Sequence, residues 1–89
     1  MEERFALAVQ MHRAASSVPA NIAEGFVRLR PRDKARFYNI AEGSAEELSV
    51  FVRLADRLHY PGQPPNLLEV VTDCAMMLRR LTNVTLERA

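Results

Sequence analysis

Apolar residues in the first third of the chain recur at helical spacing. Leu7, Met11, Ala14, Val18 and Ile22 trace one stripe, and Phe5, Ala8, Ala15 and Phe26 widen it. The apolar arc covers well over half the circumference of a helix read near residues 2 to 28. A lone helix in a small monomer seldom needs so broad a face, so contacts on two sides are expected. Pro19 falls inside the pattern, where it removes a backbone donor and crowds the carbonyl of Ala15. A bend is expected there, with Ser16 and Ser17 available to satisfy the freed groups.

In the segment RLRPRD, Pro31 suits the first turn of a second helix and Asp33 sets a negative charge near its amino end. Phe37, Ile40, Ala41, Ser44, Leu48, Phe51, Ala55 and Leu58 then follow alternating spacings of three and four, as in a bundle seam, over a helix near 31 to 59. HYPGQPPN, with three prolines and a glycine, stops it. Asn66 followed by Glu69 reads as a capping box for a last helix near 66 to 87, with Leu67, Val71, Cys74, Leu78 and Leu81 as its seam. No strand pattern and no low-complexity tract interrupts this reading. The expected fold is all-α, an up-and-down antiparallel helical bundle forming one domain over residues 1–89.

Composition sharpens the picture. With 48% apolar but only 7% aromatic residues, the core must be built mainly from Ala, Val, Leu, Ile and Met. At 89 residues the chain lies near the size at which a single core needs help, so partners are a live question. Cys74 is the only cysteine, which excludes an internal disulfide, suits a reducing cytoplasm and reads as a small core residue. The amino terminus resembles neither a signal peptide nor a membrane anchor. The net charge of +1 hides an uneven distribution: Arg28, Arg30, Arg32, Lys34 and Arg36 face Asp33 alone between Phe26 and Tyr38.

The pentapeptide NIAEG occurs twice, as Asn21 to Gly25 and as Asn39 to Gly43. In a hairpin folding near residue 32, Asn21 would lie level with Gly43 and Gly25 with Asn39, so the copies would face each other head to tail. A glycine inside a helix costs on the order of 1 kcal/mol relative to alanine, and close backbone approach is the expected gain. Ala23 and Ala41 would line the same crossing, while each asparagine bonds to backbone or to the opposite carboxylate. The alternative is two helices with similar core letters by chance. A true repeat is disfavoured, because the flanking PA and FVR match nothing around the second copy.

RAASSVPANIAEG followed by RFYNIAEGSAEEL resembles the paired signature of the 23S rRNA intervening-sequence protein family of four-helix-bundle proteins. The resemblance runs from about Glu2 to Tyr60 and is strongest from Val18 to Gly25; the last helix, from Asn66, fits by position and pattern. It implies a small all-helical subunit in a ring of identical copies, usually a pentamer. It also implies similarity in fold to the accessory protein of diversity-generating retroelements, a basic pentamer that binds nucleic acid and a reverse transcriptase. The family pattern has a further amphipathic helix ahead of the position of Glu2, so three long helices are expected here, and either the family's first helix was lost from this chain or Met1 is an internal residue of a longer protein. The groove that helix fills is then expected to hold another subunit or to stand open.

Catalytic chemistry finds little support. A di-iron bundle core needs several inward carboxylates and two Glu-x-x-His pairs, and Asp56 with His59 is the only approximation. Glu42 and Glu46 read as solvated or N-cap-like carboxylates balancing nearby arginines, and His12 as a satisfied or interface histidine. No nucleophile with its base, zinc cluster or phosphate loop is spelled out, so no catalytic, cofactor or metal residue is assigned and no enzyme is expected.

Two function classes remain. One is a non-enzymatic, self-associating scaffold or adaptor whose apolar first and last helices meet other subunits, with Leu7, Met11, Met76, Met77 and Val84 as interface candidates. The other is a module binding structured RNA or a reverse transcriptase through Arg28, Arg30, Arg32, Lys34 and Arg36. The bland reading of that basic segment is a solvated turn whose arginines pair locally, Arg28 with Glu24 or Arg36 with Asp33.

Overall fold

The structure, a computed structural model, describes residues 2–89. Three helices account for nearly all of it: α1 (Glu2–Val27), α2 (Pro31–Arg57) and α3 (Leu67–Glu87). No strand occurs among the described residues. α2 is central and packs against both neighbours, whereas no Cα of α1 lies within 8 Å of one in α3. α2 is therefore the helix that joins the other two. Ser17 meets Ser44 and Gly25 meets Tyr38 across α1 and α2, while Glu42 meets Arg79 across α2 and α3.

Each helix buries a narrow stripe. On α3 it is Val71, Ala75, Leu78, Thr82 and Thr85, a strict four-three spacing. Thr82 and Thr85 fit this stripe because their hydroxyls donate to the carbonyls of Leu78 and Leu81, at 2.8 and 2.7 Å, and so enter the interface already satisfied. α2 buries Ala35, Tyr38, Ala41, Glu42, Ala45, Ser49, Val52 and Ala55. The expected α2 seam holds at Ala41 and Ala55, but Ile40 and Leu58 are exposed and Phe37, Ser44, Leu48 and Phe51 are half-buried. A helix gripped from two sides buries the arc between its two apolar ridges, and small residues there let both neighbours approach. α1 buries Leu7, Ala14 and Gly25. Leu7 is only 8% exposed and lines a pocket with Ala55 and Tyr60, so it is a core residue of this chain rather than a free interface residue.

α1 continues through Pro19 as one helix. The serines are used differently from expectation: the Ser16 hydroxyl donates to the His12 carbonyl at 2.8 Å, and the Asn21 amide donates to the carbonyl and hydroxyl of Ser17 at 2.8 and 3.0 Å. Ser44 donates to the same Ser17 hydroxyl at 2.7 Å, which ties α2 to this turn of α1. At the first corner Arg30 is extended and Pro31 opens α2. Lys34 reaches back to the carbonyls of Phe26 and Gly25, at 2.8 and 3.3 Å, capping the carboxyl end of α1 with a cation.

α2 ends two residues sooner than the expected position 59. His59 takes a left-handed φ of 58°, its amide donates to Asp56, and the amide of Tyr60 donates to Ala55, each at 3.0 Å. This is a Schellman closure with Pro61 just beyond it. The capping box expected at α3 does not form, since the Asn66 side chain makes no cap bond; its carbonyl accepts from Val70 instead.

The two NIAEG copies do different jobs. At Gly25 an added Cβ would lie 2.6 and 2.9 Å from ring carbons of the buried Tyr38 and 3.1 Å from the Lys34 carbonyl, whereas at Gly43 it would meet nothing within 4 Å. The matched pair of notches is thus replaced by one notch: Ala23, Asn39 and Gly43 are exposed, and Asn21, Gly25 and Ala41 lie in contact regions. At Gly25 the contact falls one residue from the expected register, on Tyr38 rather than Asn39, and Ser17 meets Ser44 rather than Glu47. α2, however, turns its second copy toward α3.

Gly25→Ala should lower stability by roughly 1–2 kcal/mol in urea unfolding, overpacking against Tyr38 outweighing the propensity gain. Gly43→Ala should raise it by up to about 1 kcal/mol, because only propensity changes there. Equal effects at the two sites would contradict the single-notch packing. At the Schellman closure, His59→Gly relieves a left-handed residue that carries a Cβ and should add on the order of 1 kcal/mol; a loss of stability would show that the His59 side chain holds contacts beyond its backbone role.

Candidate functional site

Two grooves and one corner hold the candidate chemistry. Between α1 and α3, above the alanines of α2, runs an apolar groove of about 590 Å³ lined by Ile22, Val70, Asp73, Cys74, Met77, Leu78 and Leu81. It exists because α1 and α3 stay apart while Ala41, Ala45, Ala75 and Leu78 close beneath it, with Val18, Ile22 and Cys74 packed on that cluster. Met77 is 66% exposed, and Val70, Met76, Leu81 and Val84 are exposed as well. Of the interface candidates, Met76, Met77 and Val84 are on the surface, Met11 is half-buried and Leu7 is core. Val70 and Leu81 belong to this exposed face although the seam pattern assigned Leu81 inward.

The five basic residues of the α1–α2 corner are near in sequence but unlike in role. Arg28 pairs with Glu24 at 3.0 Å and lies over the Phe37 ring, 4.7 Å from its centre. Arg36 stacks on the same ring at 4.9 Å instead of pairing with Asp33. Lys34 is spent on the α1 cap and lies 5.7 Å from the Phe26 ring centre. Arg30 and Arg32 are exposed and form no ion pair among the described residues. Phe26, Val27 and Leu29 are exposed beside them, so the corner mixes cations with apolar surface.

A second, polar groove of about 520 Å³ lies between α2 and α3, lined by Arg32, Arg36, Asn39, Glu42, Arg79 and Asn83 with Ala35, Thr82 and Leu86. Glu42 was expected to be a solvated carboxylate; it is buried and accepts from the Arg79 Nε at 2.9 Å. Sequence reasoning missed this pair because its partners stand 37 residues apart, and no local pattern links them. Among the described residues no cluster of three or more His, Cys, Asp or Glu could hold a metal ion. None of the described helices is long and apolar enough to cross a membrane.

A family model described as 23S rRNA-intervening sequence protein matches residues 1–83. No curated protein and no solved structure matches the chain.

Proposed function

The chain belongs to the 23S rRNA-intervening sequence protein family, and from that premise we propose that it is a non-enzymatic scaffold that works by associating with copies of itself. The observation that carries this reading is the open α1–α3 groove. Among the described residues, six of the eleven buried apolar ones are alanines and no large side chain is fully buried, so much of the larger apolar surface remains outside. An exposed face of this kind marks an interaction site in a small domain with a thin core. A second copy is the occupant proposed for it, in line with the rings, usually pentamers, that the sequence resemblance implies. A reducing cytoplasm belongs to the same reading and suits the unpaired thiol of Cys74 in the groove.

Sedimentation should show a concentration-dependent assembly at micromolar protein. Met77→Glu should shift it toward monomer with helix content retained, and assembly should slow thiol labelling of Cys74. A stable wild-type monomer at that concentration would remove the proposal.

A second reading, an RNA-binding or reverse-transcriptase-binding module, is favoured by the free guanidinium groups of Arg30 and Arg32 beside the exposed Phe26. Changing Arg28, Arg30 and Arg32 to glutamate should abolish binding of a structured RNA and flatten its salt dependence. Binding untouched by the triple change would exclude the corner as the contact.

A further inference from the structure

We propose that the polar groove between α2 and α3 is a binding site for the terminal phosphate of a nucleotide, free or at the 5′ end of an RNA strand. It lies apart from the apolar groove and does not depend on self-association. On α3 the two grooves use residues such as Met77 and Arg79, two positions or about 200° apart, so one helix serves both.

The first support is the Glu42–Arg79 pair. The Glu42 side chain is 11% exposed and that of Arg79 69% exposed. Burying a carboxylate is costly, and a half-exposed ion pair returns little stability, so the pair is poorly explained as a stabilising device. Its geometry does suit a positioning role. Nε is taken by Glu42 Oε2, so Arg79 keeps its terminal N–H groups for a further acceptor, and the carboxylate restricts the guanidinium's orientation.

The second support is what stands around that arginine. Arg32 and Arg36 line the same groove from the first turns of α2, and Glu42 is its only carboxylate, leaving a positive lining. Arg36 is itself held, lying 4.9 Å from the centre of the Phe37 ring. The amino-terminal part of α2 and the carboxyl-terminal part of α3 both line this groove, so their dipoles offset each other and the attraction rests on side chains. Planar guanidinium groups are suited to phosphate oxygens, which accept in pairs. Asn39 and Asn83 add amides able to donate and accept at a base edge, and Ala35 and Leu86 give apolar surface. About 520 Å³ falls in the size range of small-ligand sites. The exposed Asn39 of the second NIAEG copy, which packing does not explain, acquires a role at this groove together with Glu42.

The test is NMR amide-shift mapping at low salt with AMP, adenosine and inorganic phosphate, and with one short oligoribonucleotide carrying either a 5′-phosphate or a 5′-hydroxyl. AMP should perturb residues around Asn39, Arg79 and Asn83, and adenosine should not. Arg36→Glu and Asn83→Asp, both at exposed positions, should each weaken AMP binding by about tenfold or more while preserving the fold. Arg53→Glu, a charge reversal outside the groove, should leave it unchanged. Given a response to AMP, preference for the phosphorylated oligonucleotide assigns the site to RNA ends, and binding of neither oligonucleotide assigns it to free nucleotides. No response to millimolar AMP, shifts spread over every arginine of the surface, or equal binding of both oligonucleotides with AMP silent would each overturn the proposal.

Discussion

The close approach of two helices to α2 is the constraint on which the rest of the structure depends. Its buried arc is made of Ala35, Ala41, Ala45, Ser49 and Ala55, with Tyr38, Glu42 and Val52 between them. Small side chains bring backbones together and gain dispersion contacts, but they remove little apolar area from water. A core of this kind holds the helices in place without enclosing their larger residues. Leucine, valine and methionine side chains therefore collect along the rims, and the α1–α3 groove follows directly from that arrangement.

Polar contacts fix register within this alanine-rich packing, which by itself tolerates sliding. On one side of α2, Ser44 joins the Ser17 and Asn21 cluster of α1; on the other, Glu42 joins Arg79 of α3. Each neutral hydrogen bond contributes only about 1 kcal/mol net, but a slip along the helix would leave the buried Glu42 carboxylate unmatched at greater cost. The Gly25 notch adds a steric register mark, since Tyr38 fits over α1 only where a side chain is missing. Lys34 adds an electrostatic one at the corner, by tying α2 to the last carbonyls of α1.

This economy of packing separates the outer surfaces by chemistry. The α1–α3 side is apolar and suits burial against another copy, whereas the α2–α3 side carries guanidinium and amide groups that an interface would leave wet. The α1–α2 corner is mixed, with Arg30 and Arg32 beside Phe26, Val27 and Leu29. In the proposed assembly, closed through the apolar side, the polar groove would be displayed once per subunit, multiplying weak binding through effective concentration.

The amino-acid sequence by itself determined the three helices, the corner at Pro31, the stop before Pro61 and the family. Periodicity, proline placement and the SVPANIAEG and IAEGSAEEL signatures are local properties, and they survive folding unchanged. Only the tertiary structure decided which face of α2 turns inward, because a helix held between two partners buries an arc that its strongest apolar stripe does not mark. It also decided that identical NIAEG letters become a steric notch in α1 and an arginine brace in α2. Those roles depend on what lies opposite, Tyr38 for Gly25 and Arg79 for Glu42, and spacing along one chain carries no information about a partner 37 residues away.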